Sequence, residues 1–289
     1  MKFYRWFLIL TLAGIASVSC KKNNQIQHAK SPEVEKLKTR EWEIDYSKPV
    51  WYDEFDEAGK PDISKWSYNI GGHGWGNQEL QYYTDALENA KNEYGYLNIY
   101  ALKETRGNNK YTSARLVSKN KGDFTYGRVE VKAKLPKGVG TWPAIWMLAS
   151  QTSYGQNFWP ENGEIDIMEH VGFDQNVVHG NVHTKAFNHT IGTNKGNRIT
   201  VPEVSDKFNV YAVNWFPDRI EFEINGEKYF EFKKEEDYGW EQWPFDKKFH
   251  VILNIAVGGG WGGQKGVDEN IFPQTMQVDY VRVYGIKEK

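Results

Sequence analysis

One cysteine, Cys20, serves all 289 residues, so no intramolecular disulfide can form. A chain of this length can bury a large core without such staples. No His/Cys cluster carries zinc-ligand spacing, and no Gly-rich loop is placed to cradle a nucleotide phosphate. Charge of one sign is missing too. The formal net charge is -2, so no basic excess marks a nucleic-acid surface. No amphipathic helix of three turns or more can be traced. What the chain has in quantity is aromatic side chains, 15% of residues with 12 Trp and 17 Tyr. Such residues fill cores, and their flat apolar faces with a polar handle also suit stacking on flat ligands.

The N-terminus reads MKFYRWFLILTLAGIASVSC. Lys2 and Arg5 make a basic start and residues 7–16 form a short apolar run, a secretory signal rather than a spanning helix. Small residues (Ala16, Ser17, Ser19) lead to Cys20, and the whole resembles a bacterial lipoprotein signal, with Ser17 where Leu is commonest. That resemblance implies residues 1–19 are a signal peptide, Cys20 is lipidated, and polar residues 20–42 are a tether. The protein is then exported and held to a bacterial membrane, the outer one or the cell surface, only through its lipid.

Residues 43–289 read as one domain, with β patterning evident from Val50 onward. In GRVEVKAKL, Val129, Val131, Ala133 and Leu135 alternate with Arg128, Glu130, Lys132 and Lys134, the signature of a half-buried strand. RIEFEINGEKYFEF is two alternating runs joined by Asn225-Gly226, a strong hairpin signal. LNIYALK, FNVYAVNWF, FHVILNIAV and MQVDYVRVYG are further strands. With no internal repeat and no later linker, the expected fold is all-β, a single antiparallel sandwich.

GEIDIMEH carries three acids, Glu164, Asp166 and Glu169. Strand side chains alternate faces, so Glu164 and Asp166 share a face and Glu169 is out of step. Such acids suit a hard cation or glycoside cleavage by a general acid and a nucleophile. Either requires convergence, and a β-bulge at Ile167-Met168 would restore the parity of Glu169. Glu164 and Glu169 would then sit roughly 13 Å apart at Cα, so inward-leaning side chains and sheet curvature must close the gap. A bare charged face on an edge strand is the simpler alternative.

GTWPAIWML lies just upstream, followed by WPENGEIDIMEH. Together with GWGNQELQYYT, YTSAR, YGRVEVKAKLP, NVHT, WPFD, LNIAVGGGWGG and VDYVRVYG, in this order over residues 50–286, the chain resembles glycoside hydrolase family 16 in its laminarinase branch. The resemblance implies a β-sandwich jelly roll with a concave substrate cleft and retaining endo-hydrolysis of a β-1,3-glucan. It makes Glu164 the nucleophile, Glu169 the acid/base and Asp166 the residue tuning their protonation. The acid motif is the six-residue bulged form, unlike the five-residue form of lichenases. A glycan cleft also needs platforms and polar forks. Trp142 and Trp146 share parity, although Pro143 should make that strand irregular. Trp159 and Trp261 lie in loops, Asn77 and Arg115 match cleft-lining positions, and His183 shares parity with Asn181. No catalytic cofactor is implied. A structural calcium is, through the carbonyls of Glu54 and Gly95 and the side chain of Asp279. The expected partner is a β-glycan polysaccharide, with no nucleic acid, and the protein is expected as a monomer.

Rival readings keep the fold but change the substrate to mixed-linkage glucan, agarose or porphyran, or transfer the sugar to another sugar. A non-catalytic glycan-binding protein is a further rival. Relatives of that kind lack the Glu pair that this chain retains.

Overall fold

The computed structural model describes residues 41–289. The signal peptide, Cys20 and the tether up to residue 40 lie outside the described residues. Seventeen strands follow in chain order. They begin with β1 (Trp42–Asp53), β2 (Ser67–Tyr68), β3 (Gln81–Tyr83), β4 (Ala90–Glu93), β5 (Tyr96–Ala101) and β6 (Tyr111–Ser113). Next come β7 (Arg115–Val117), β8 (Gly127–Lys134), β9 (Thr141–Ala149), β10 (Glu164–His170) and β11 (Val177–His183). The rest are β12 (Lys195–Thr200), β13 (Asn209–Trp215), β14 (Arg219–Ile224), β15 (Glu227–Lys233), β16 (Phe249–Val257) and β17 (Gln274–Glu288). Between β11 and β12 lies a single 3-10 turn, His189–Ile191.

The strands form two main sheets, a jelly-roll-like sandwich. One is seven-stranded in the order β12-β11-β10-β9-β16-β7-β2. The other has eight strands, β15-β14-β13-β8-β17-β5-β4 with β1 also on β17. Between them lies one apolar cluster, to which the alternating residues Val129, Val131, Ala133 and Leu135 belong. Asn225-Gly226 does turn the β14–β15 hairpin, with φ of 52° and 83° at the two residues, the positive pair that a type I′ turn requires.

Two local expectations need correction. The β pattern starts at Trp42, not Val50. Polar residues conceal this part of β1, because it pairs with the end of β17 at the sheet margin and register shifts flank Pro49. Pro143 does not make β9 irregular. The β9–β16 ladder runs through it from Phe249↔Ala149 to Val257↔Thr141, while the β9–β10 ladder stops at Ala144, so the missing N–H falls beyond that ladder.

Candidate active site

Strand β10 answers the parity problem. Against β11, Asp166 pairs with Asn181 and Glu169 with His179, so Ile167 and Met168 together oppose Gly180. Against β9, Asp166 pairs with Trp146 and Met168 with Ile145, leaving Ile167 without a partner. This is a β-bulge at the two expected residues. Ile165, Ile167 and Met168 are all fully buried in the inter-sheet core. Each contributes roughly 1.5–3 kcal/mol by burial, enough to hold the bulge in place. Glu164, Asp166 and Glu169 therefore all stand on the face away from that core.

Their neighbours are hydrogen-bond donors. Trp159 Nε1 donates to Glu164 Oε2 at 3.0 Å, and Trp142 Nε1 donates to Glu169 Oε1 at 3.1 Å. Asn181 Nδ2 reaches Glu169 Oε2 at 3.3 Å. His183 Nε2 lies 3.3 Å from Asp166 Oδ2 and 3.9 Å from Glu164 Oε1. His183 is only 5% exposed, so it is buried as a structural histidine would be, yet it is aimed at the acids. Trp261 packs edge-on to Trp142 at 5.5 Å and to His179 at 4.9 Å. Trp159 faces His189 at 5.2 Å. The Gly-rich loop after β16 fits close to these rings. A Cβ on Gly262 would lie 2.8 Å from Trp142 Cβ.

On the β7 side, the Arg115 guanidinium lies between Trp75 and Trp146, 4.8 and 4.6 Å from the ring centres. Stacked cation–π contacts of this kind hold a platform rigid. Trp146 Nε1 donates to Asn254 Oδ1 at 2.8 Å, and Asn254 Nδ2 donates to Tyr83 Oη at 3.0 Å. Tyr83 and Gln81 donate to the buried carboxylate of Glu79, which Asn77 Nδ2 also approaches at 3.4 Å. Asn77, Arg115, Trp142, Trp146, Trp159, His183 and Trp261 thus all border one polar, aromatic face with the three acids. Sequence reasoning did not single out Glu79, Tyr83, Asn254, Trp75 or His189, and it named Asn181 only for its parity with His183. The signal for Asn254 was a lone amide inside the apolar strand FHVILNIAV.

Glu54, Gly95 and Asp279 lie elsewhere, on the eight-stranded sheet. They flank the stretch where β17 changes partner: Val278 pairs with Leu97 of β5 and Val281 with Asp53 of β1. Asp279 falls at the register shift against β8, and Lys132 Nζ holds its carboxylate at 2.6 Å. The Glu54 side chain is taken up by Arg282, with both bonds at 2.8 Å.

The family model for glycosyl hydrolases family 16 matches residues 74–282. This chain belongs to glycosyl hydrolase family 16. A β-glucanase of Rhodothermus marinus is 50% identical over 283 residues, 96% of this chain and 93% of that protein. The solved laminarinase of Rhodothermus marinus superposes with TM-score 0.82 at 53% identity, covering 86% of this chain and 99% of that one. A variant of a non-specific endo-β-1,3(4)-glucanase of the same family, crystallised with 1,3-β-D-cellotriosyl-glucose, gives TM-score 0.80 at 44% identity. There the coverage is 85% of this chain and 98% of that chain. The family's hydrolases need no catalytic cofactor.

Burial governs the acids of this family 16 site. It raises the pKa of Glu164, Asp166 and Glu169; neighbouring negative charge adds to the rise at Glu164 and Asp166, while His183, Trp142 and Asn181 oppose it at Glu169. Glu164 is pushed well up, by burial first and then by the charge of Asp166. Three carboxylates this close cannot all ionise. His183 and the Trp159 indole work against the rise at Glu164 by favouring its ionised form. The sign of an Asp166→Asn change follows. Glu164 loses the neighbouring charge of Asp166, so the acidic limb of the kcat/KM–pH profile should move to lower pH. Rate should fall roughly 10–100-fold, the scale of one lost charged hydrogen bond. An acidic limb that stays in place in a full pH–rate profile would remove Asp166 from this role.

Proposed function

We propose that this protein is an endo-β-1,3-glucanase acting on laminarin-like polysaccharide by retaining double displacement. The observation that carries the reading is the bulged strand β10, which turns Glu164, Asp166 and Glu169 to one face, with an indole N–H on each glutamate. Glu169 protonates the glycosidic oxygen while Glu164 attacks the anomeric carbon. The leaving sugar departs with that proton, and a covalent glycosyl-enzyme forms. Glu169, now a carboxylate, takes a proton from water, and the water oxygen displaces Glu164. Trp142, Trp146, Trp159 and Trp261 supply the faces on which sugar rings stack, and Asn77, Arg115 and His183 border the same cleft. The similarity to a solved laminarinase and to an endo-β-1,3(4)-glucanase supports the β-1,3-glucan linkage.

Product analysis on laminarin, mixed-linkage glucan, agarose and porphyran tests this. Short laminari-oligosaccharides whose new reducing ends first appear as the β-anomer are expected. Cleavage of agarose or porphyran alone would overturn the substrate, and net inversion would overturn the mechanism.

The anchor is part of the proposal. Cys20 is the single available lipid acceptor in the chain. Cys20→Ser should move the protein from the membrane to the soluble fraction with its specific activity intact. Continued membrane association without detergent would sink the lipoprotein reading.

A structural calcium would use the carbonyls of Glu54 and Gly95 and the carboxylate of Asp279. Calcium takes six to eight oxygens, so one carboxylate makes a weak site, and the ion must displace Lys132. Millimolar calcium is expected to raise Tm by about 2–4 °C. A Tm indifferent to calcium and to EDTA would remove the site.

A further inference from the structure

We infer that Asn194 and Gly196, at the outer edge of the seven-stranded sheet, are positioning residues that fix which end of the Asn181 amide meets Glu169. The inference rests on Glu169 being the acid/base. Asn181 lies between the two: it pairs with Asp166 on β10 and with Gly196 on β12. Its Nδ2 donates to Glu169 Oε2, and its Oδ1 accepts from Asn194 Nδ2 at 3.1 Å. An amide presents donors at one end and an acceptor at the other. The Asn194 NH₂ can be met only by an oxygen, so occupying Oδ1 leaves the Asn181 NH₂ facing Glu169. Among the described residues, only Asn194 donates to that oxygen.

Gly196 clears the path. A Cβ there would lie 2.0 Å from Asn181 Oδ1 and 2.6 Å from Gly180 O. Any larger residue must push the Asn181 amide aside. The loop that delivers Asn194 is built rather than slack. Asn188, 3% exposed, donates to the carbonyls of Thr184 and Lys185 and accepts from Thr190, while Thr193 bonds Ala186 O.

Other groups also face Glu169 and set its background. Trp142 comes from β9, Asp166 and Glu164 from β10, and His179 and His183 from β11. Arg198 of β12 stands opposite His179, and the Tyr229 hydroxyl of β15 lies beneath the strand, against Gly180. Burial raises the Glu169 pKa, and the Asn181 N–H lowers it by stabilising the carboxylate. An Asn181 turned end for end offers an oxygen instead, which favours the protonated acid.

The test is the pH dependence of kcat and kcat/KM on soluble laminarin for the whole protein and its variants. Asn194→Asp presents only acceptors, so Asn181 should turn its NH₂ outward and its oxygen toward Glu169. The basic limb should then rise by about 0.5–1 pH unit, with kcat down about three- to tenfold and KM unchanged. Asn194→Ala, Gly196→Ala and Asn181→Ala should move the limb in the same direction. Asn194→Asp in an Asn181→Ala background should add no further shift. Asn197→Asp is the charge control, because Asn197 pairs with Gly180 and donates to Tyr229 O instead. A limb that shifts equally for Asn194→Asp and Asn197→Asp, or fully additive shifts in the double variant, overturns the relay. A basic limb that survives Glu169→Ala overturns the role of Glu169 itself, which is the separate failure.

Discussion

Glu164→Gly is expected to abolish hydrolysis of laminarin, with a loss of roughly 10⁴-fold or more in kcat, the scale seen when a nucleophile is removed. No glycosyl-enzyme can form without the carboxylate, and Glu169 alone offers only a proton. The vacated space keeps two donors, the Trp159 indole and His183, which in the intact protein lie 3.0 Å and 3.9 Å from the Glu164 oxygens. A small anion suits that space. Azide supplied with a β-glucosyl substrate bearing a good leaving group should attack the anomeric carbon from the side Glu164 occupied. One displacement inverts, so the product is the α-glycosyl azide. Activity retained within tenfold of the parent would remove Glu164 from the nucleophile's place. A β-azide from this variant would mean that the two glutamates have exchanged roles.

The parts of this site legible in the sequence were those set by local period. GEIDIMEH showed that one residue too many separates Glu169 from its partners, and the only apolar pair that could absorb it was Ile167-Met168. GRVEVKAKL and Asn225-Gly226 declared a strand and a turn on their own, because burial alternation and positive φ leave a direct mark on composition. The polar network around Glu79 left no such mark. Glu79 and Tyr83 belong to one segment and Asn254 to another, and they meet because the segment leading into β3 bridges to the end of β16 at Glu79↔Gly258. Glu79 and Tyr83 each read alone as solvated polar residues, and the lone amide of Asn254 in an apolar strand names no partner. Asn181 had visible parity, but its acceptor partner Glu169 lies on β10 and its donor partner Asn194 in the loop before β12. Pairing order, set by the whole chain, decides such contacts. The start of β1 was hidden for the opposite reason: it pairs at a sheet margin and needs little apolar surface, so its sequence looks like tether.

Glu169→Ala should behave differently from Glu164→Gly in each measurable respect. General acid–base groups contribute typically about 10²–10⁴-fold, so the loss on laminarin should be large but short of complete. Both steps suffer, because the same side chain first gives a proton to the leaving sugar and later takes one from water. An aryl leaving group of low pKa needs little protonation, so the first step should survive better on such a substrate and the glycosyl-enzyme should accumulate as a burst. Azide needs no general base. It should therefore restore the second step, held in the emptied space by the donors Trp142 Nε1 and Asn181 Nδ2 that met Glu169. It attacks the face opposite Glu164, so two displacements have occurred and the product is the β-glycosyl azide. The two variants thus yield opposite anomers from one substrate, and proton NMR of the anomeric position reads the difference directly. A burst and a β-azide from Glu169→Ala, beside an α-azide from Glu164→Gly, require the nucleophile and the acid/base to lie on opposite sides of the sugar. The bulge at Ile167-Met168 makes that arrangement possible: without it Glu169 would point into the core, and no choice of leaving group or anion could recover the reaction.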